Sequence, residues 1–122
     1  MATTHVATLR NTLATAVLTA IGASGFLSFE TTGGAGVVAA LALSATAGVV
    51  SAEVLTFNAI TANTNAAAGT VAEFAIQTSA NADVLIGSVT LTGNGGDIIM
   101  SSLTVGTGDT VSCSALTYTA SV

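Results

Sequence analysis

Two hydrophobic periods run along this 122-residue chain, and the change between them falls at Gly25. Before it, Val6, Leu9, Leu13, Val17 and Ile21 recur at steps of three and four, the repeat of one face of an α-helix. The spacing predicts a helix over 3–22. Thr3 or Thr4 is expected to cap its start by accepting a hydrogen bond from a free backbone N–H, and Gly22 to end it in a left-handed conformation. The threonines at 8, 12, 15 and 19 have only moderate helix propensity, so this helix needs packing to persist.

After Gly25 the period is two. Segments 26–31, 37–44, 53–60, 70–78, 83–91, 97–105 and 110–119 read as strands separated by clusters of Gly, Asn, Ser and Ala. Within 70–78, Ala72, Phe74 and Ile76 share one face and Glu73 and Gln77 the other; within 53–60, Leu55 and Phe57 oppose Thr56 and Asn58. Glycines at 93, 95, 96, 106 and 108 sit where hairpin turns need positive φ. Segment 61–69 reads as a longer small-residue connection with little to bury. Seven short strands at this spacing indicate a mainly β sandwich or barrel in one domain over 1–122, with the helix at 3–22 and the β part at 26–119. With no proline and few charges to protect strand edges, either the sheet closes or something covers its edges.

Composition sharpens the picture. Charged residues are 6% of the chain, against roughly 25% in an ordinary soluble domain. Arg10 is the sole basic side chain beside six carboxylates, giving a net charge of −5. That excludes a nucleic-acid partner, whose phosphates require clustered Lys and Arg, and docking on anionic lipid. The apolar run 37–50 approaches the density of a membrane span, but Gly48 and the glycines at 33, 34 and 36 interrupt or abut it, Glu30 and Glu53 flank it, and no aromatic belt borders it. Residues 13–25 lack the basic leader of a secretion signal. Aromatics are 4% of the chain, so the core is expected to be thin and aliphatic. Cys113 stands alone, which rules out an intrachain disulfide and reads as a buried thiol.

Little remains from which to build a reaction. His5 has no ligand-type residue at metal-binding spacing, no serine sits in a nucleophile elbow, and no phosphate loop exists. Glu30, Glu53, Glu73, Asp83, Asp97 and Asp109 fall once per strand or turn, the pattern of solvent-facing strand ends. The glycine–aspartate runs at 93–97 and 106–109 resemble calcium-binding repeats only faintly and read as turns. No catalytic, cofactor-binding or metal-ligating residue is therefore assigned, no cofactor is expected, and the chain reads as a non-enzyme.

The order of elements resembles a family of small virion proteins of tailed bacteriophages, the capsid decoration (cement) and head-associated proteins. The resemblance rests on Arg10-Asn11 in the opening helix, Gly25-Phe26-Leu27-Ser28-Phe29 entering the first strand, and Phe57-Asn58-Ala59-Ile60. It continues through the alanine-rich run 66–74 leading to Phe74, Gly87-Ser88-Val89, and a final strand pair over 102–118. Against that pattern the connection 32–36 is short and the stretch 93–96 lacks a polar loop. The resemblance implies a jelly-roll-like antiparallel β-sandwich of about seven short strands with one N-terminal α-helix, and no enzymatic activity. It also implies a position on the outer surface of a virion head, the major capsid protein as partner, and a homo-oligomer, a trimer being favoured. Other readings of the same surface are a tail, fibre or receptor-facing module, or a self-assembling tube or layer subunit. Under the decoration reading the interface residues are Val6, Leu9, Arg10, Leu13, Val17 and Ile21, with Arg10 pairing with a carboxylate of a neighbour, of the capsid or of its own chain.

Overall fold

The computed structural model describes residues 5–91, 93–94, 97–113 and 115–119. The fold is mainly β, with one helix, α1 (Ala7–Ile21), preceding the strands. The proposed Thr3 or Thr4 cap lies outside the described residues; Val6 takes the N-cap position with no side-chain hydrogen bond. At the other end Gly22 adopts φ 68° and ψ −156°, and its N–H donates to Leu18 O at 3.2 Å. Its φ is positive as expected, but its ψ is extended, a combination open essentially to glycine alone.

The seven predicted strands become ten among the described residues. They are β1 (Phe26–Glu30), β2 (Val37–Ala42), β3 (Gly48–Ser51), β4 (Val54–Phe57), β5 (Gly69–Thr70), β6 (Glu73–Gln77), β7 (Asp83–Leu91), β8 (Ile98–Met100), β9 (Thr104–Val105) and β10 (Thr117–Thr119). They form a five-stranded sheet in the order β2-β1-β6-β7-β8, a three-stranded sheet β10-β4-β3 and the pair β5-β9. The increase comes partly from β3, hidden in the apolar run before Ala52, and partly from bends. Segment 70–78 divides because Val71 N–H donates to Leu103 O (2.8 Å) while Ala72 N–H donates to Glu30 O (2.9 Å), so the chain changes partners between adjacent residues. Segment 97–105 divides for the complementary reason, β8 following β7 and β9 following β5.

One pairing departs from an antiparallel sandwich. β7 and β8 run parallel, with Val89 beside Ile98 and Leu91 beside Met100, so the two strands are not the arms of a hairpin. Gly93 has the expected positive φ, 93°, while Gly95 and Gly96 lie outside the described residues. Asp97 binds back onto β7: its Oδ2 accepts Ser88 N–H at 3.0 Å, and its own N–H donates to Ser88 Oγ at 3.3 Å. The 106–109 run does turn, with Gly108 at φ 84° and Gly106 N–H donating to Asp109 Oδ2 at 2.8 Å, but it leaves β9 without pairing the two arms to each other.

The core lies between the two larger sheets. Leu27, Phe29, Leu41, Phe74 and Ile76 face inward from the five-stranded sheet, Leu55 and Phe57 from the three-stranded one, and Ala14 and Ile21 from the helix. Phe74 and Ile76, like Leu55 and Phe57, occupy the inward faces that alternation predicts. The 61–69 connection does more than expected. Thr61 N–H, Asn63 Nδ2 and Ala67 N–H donate to the carbonyls of Ala42, Ala40 and Val38 at 2.9, 3.1 and 2.8 Å, so the segment shields the outer edge of β2. Its small side chains permit that approach, and Ala66 is buried. One edge is therefore covered from within the chain, by neither of the devices usual for edge strands, charge or proline.

Candidate interaction surfaces

The helix meets the β-sheets through a side rotated from the predicted one. Ala14 and Ile21 are buried, and Arg10, Leu13, Val17 and Leu18 are half-buried, whereas Val6 is 70% and Leu9 42% exposed. The apolar stripe thus splits: its C-terminal half (Leu13, Val17, Ile21) packs on the core and its N-terminal half faces outward. Ala14 explains the roll, because its short side chain lets the helix approach the β3-β4 hairpin closely, placing Arg10, one turn earlier, against the same hairpin.

That placement creates an ionic clamp. Arg10 Nη2 lies 2.6 Å from Glu53 Oε2, with the two side chains 21% and 24% exposed, and Asn11 Oδ1 accepts Glu53 N–H at 2.8 Å. Both contacts fall on a two-residue hairpin turn, Ala52-Glu53, whose φ angles are 50° and 67°. A turn with two positive φ values suits the twist of paired strands and normally recruits Asn and Gly. Alanine and glutamate each pay roughly 1–2 kcal/mol to hold the left-handed region. Arg10 and Asn11 therefore hold a turn that its own residues disfavour. Replacing Ala52 with Asn should raise stability by about 0.5–1 kcal/mol, measured by urea unfolding, because Asn tolerates this conformation; a loss of stability would contradict the strain reading. Arg10 is thus an intrachain partner, the last of its three expected roles.

A shallow groove lined by His5, Leu13, Ala16, Val17, Ala20, Val84 and Tyr118 runs beside the helix. A second cleft, of about 320 Å³, opens between the sheets at Phe57, Phe74, Ile76, Leu85, Leu116 and Tyr118, with Asp97 at its rim. Cys113, expected as a buried thiol, is half-buried and borders a third recess; burial pushes its pKa up, and its Sγ donates weakly to Ala115 O at 3.4 Å. No group of three or more His, Cys, Asp or Glu able to hold a metal occurs among the described residues, and none of their helices is long and apolar enough to cross a membrane.

A surface that sequence reasoning did not single out is the outer face of the five-stranded sheet, which is closed at its centre, where Ser28, Glu30, Ala75 and Gln77 are buried, and exposed around it at Val37, Ala40, Ala42, Asp83, Ile86 and Ser88. Residues directly opposite one another across neighbouring strands share a face. The ladders give three rows: Glu30, Glu73 and Ser88, with Val37 beside Glu30 across a register shift; Ala40, Ser28, Ala75 and Ile86; and Ala42, Phe26 and Gln77, with Asp83 beside Gln77 across a second register shift and tied to it by a side-chain hydrogen bond. Ile86 (63% exposed) and Val37 (53% exposed) stand out as large apolar side chains in water. Three of the six carboxylates share this grid, which corrects the picture of acids scattered at solvent-facing ends. Glu30 is buried at 7% exposure, with Ser28 Oγ donating to it at 3.3 Å, and Asp83 accepts from Gln77 Nε2 at 2.8 Å. Alternation in 70–78 already placed Glu73 and Gln77 on one face; the register that joins them to Phe26 and Glu30 is a tertiary fact.

Burial raises the Glu30 pKa above its ordinary 4.5; the Ser28 hydrogen bond opposes this, and the charges of Asp83 and Glu73 add to it. The folded state then holds the Glu30 proton more tightly than the unfolded chain does. This contribution is most favourable below the ordinary pKa and is lost as pH rises through the raised one. Glu30→Gln should accordingly be more stable than the parent at neutral pH, with the gap closing below pH 4.5. Urea midpoints across that range test this; a gap independent of pH would contradict it. No protein-family model matches the chain, and no curated protein or solved structure shows significant similarity to it.

Proposed function

We propose that this protein is a structural, non-enzymatic component of a bacteriophage virion, a decoration protein that binds the outside of the assembled head and braces neighbouring capsid subunits. The observation that carries the reading is the outer face of the five-stranded sheet, where small, apolar and acidic side chains, exposed at Val37, Ala40, Ala42, Asp83, Ile86 and Ser88, surround a buried centre with no Lys or Arg in the twelve positions. Its exposed uncharged positions, Val37, Ala40, Ala42, Ile86 and Ser88, can be buried without the cost of stranding unpaired charges. Many identical copies then multiply a modest contact through avidity. The ordered resemblance from Arg10-Asn11 through 102–118 supports the same reading, and with it a jelly-roll-like topology for the sandwich.

Self-association belongs to a different surface in this reading. Val6 and Leu9 are apolar, exposed and adjacent on one helix, suiting them to contact a second copy in a trimer. Heads heated with and without bound protein test the function. The proposal expects the decorated heads to survive to a higher temperature; equal survival despite saturating decoration would remove the bracing role, and failure to bind heads would remove the reading.

A further inference from the structure

We propose that the outer face of the five-stranded sheet docks a protein surface carrying lysine or arginine around an apolar contact, with Ile86 and Val37 as apolar anchors and Glu73 and Asp83 as rim acceptors. The inference deepens the decoration reading by naming the chemistry of the partner, and it rests on that reading for what the partner belongs to. Charge is the first argument. Six carboxylates face one cation in this chain, and that cation is held by Glu53 on the other side of the fold, 2.6 Å away. Glu30 and Glu73 stand directly opposite across β1 and β6, a like-charge pairing that destabilises a sheet unless something offsets it. Within the grid only the Ser28 hydrogen bond to Glu30 offsets it, and no cation does, since the remaining polar members, Ser88 and Gln77, are neutral.

The same arithmetic decides against a second copy as occupant. A second copy would bring a face of the same acidic sign, with no Lys or Arg among its positions, and its one Arg is already held by Glu53. A basic partner supplies the opposite sign. It also relieves the mutual repulsion that, with burial, raises the Glu30 pKa. Geometry adds the apolar term: Ile86, 63% exposed, lies in the middle row beside the small, buried Ala75 and Ser28 and also borders the cleft between the sheets. An exposed aliphatic residue within an acidic rim fits a contact with an apolar centre and a charged periphery.

The test needs no capsid, so its failure is distinguishable from failure of the decoration reading. A synthetic strand peptide alternating lysine and valine, and a counterpart alternating glutamate and valine, are titrated against the isotope-labelled protein while backbone amide shifts are followed. The basic peptide should shift amides of β1, β6 and β7 and the acidic peptide should not. The double variant Glu73→Gln, Asp83→Asn should weaken binding about tenfold, the sum of two rim ion pairs. Ile86→Ser should weaken it as well, and Asp109→Asn, in a distant turn, should leave it unchanged. Spectral dispersion of each variant establishes that it is folded. Equal binding of both peptides, unchanged affinity in the double variant, shifts confined to the helix, or a changed oligomeric state in the double variant would each overturn the proposal.

Discussion

Gly87→Ala is expected to lower the unfolding free energy by about 2–3 kcal/mol, the upper part of the range for overpacking a well-filled site. A Cβ at Gly87 would lie 2.5 Å from Phe74 Cε1, 2.7 Å from Phe74 Cζ and 2.8 Å from Asp97 Oδ2. Neither neighbour can yield cheaply. Phe74 is a core ring at 9% exposure, and Asp97 is the residue that docks on Ser88 to return the chain alongside β7. One methyl group therefore strikes both the inner packing and the contact that sets the parallel β7-β8 pair. Elsewhere Gly to Ala gains about 0.4–1 kcal/mol where the backbone accepts it, by restricting the unfolded chain. Gly36→Ala supplies that control, because its nearest neighbour beyond the adjoining residues, Thr31 Oγ1, would sit at an ordinary 3.5 Å. Urea denaturation of both variants should give effects of clearly different size, with Gly87→Ala much the worse. Equal effects would mean that Phe74 and Asp97 are not fixed as described.

Arg10→Met is expected to cost about 1.5–3 kcal/mol. The estimate lies between the 0–1 kcal/mol of exposed ion pairs and the 3–5 kcal/mol lost when a buried pair is broken, because both side chains are about a quarter or less exposed. Methionine retains much of the aliphatic bulk, so the loss reports the charge and its hydrogen bond more than the packing. Part of the cost comes from the turn: without Arg10 the positive-φ pair Ala52-Glu53 keeps only the Asn11 contact from the helix. A double-mutant cycle with Glu53→Gln should give a coupling of about 1–2 kcal/mol that shrinks at high salt. Zero coupling would show that the pair is incidental and that the helix is held by its apolar packing and the Asn11 contact.

These two positions also mark how far the sequence could be read. The helix and the alternation of most strands were legible because burial imposes periods of 3.6 and 2 on apolar residues, and Leu55, Phe57, Phe74 and Ile76 point where that alternation places them. The β7-β8 pairing was not legible, because a glycine-rich connection signals a turn without saying in which direction the next strand leaves. What decides the direction is the bond between Ser88 and Asp97, nine residues apart. The Arg10–Glu53 clamp joins residues 43 apart, which no local period connects. The outer sheet face was half legible: parity grouped Glu73 with Gln77, but only the register brought Glu30 and Asp83 to the same grid. The helix stripe misled in its first turn, since Val6 and Leu9 satisfy the period and yet stay in water.

We propose the outer face of the five-stranded sheet as the contact surface with the head. Single-particle imaging of heads decorated with the protein tests it most directly. The account predicts density for the protein distributed over the outside of the shell, with the rows containing Glu73, Ile86 and Asp83 turned toward basic side chains of the capsid. Density confined to the tail or vertex, or decorated shells in which that face points to solvent, would contradict it.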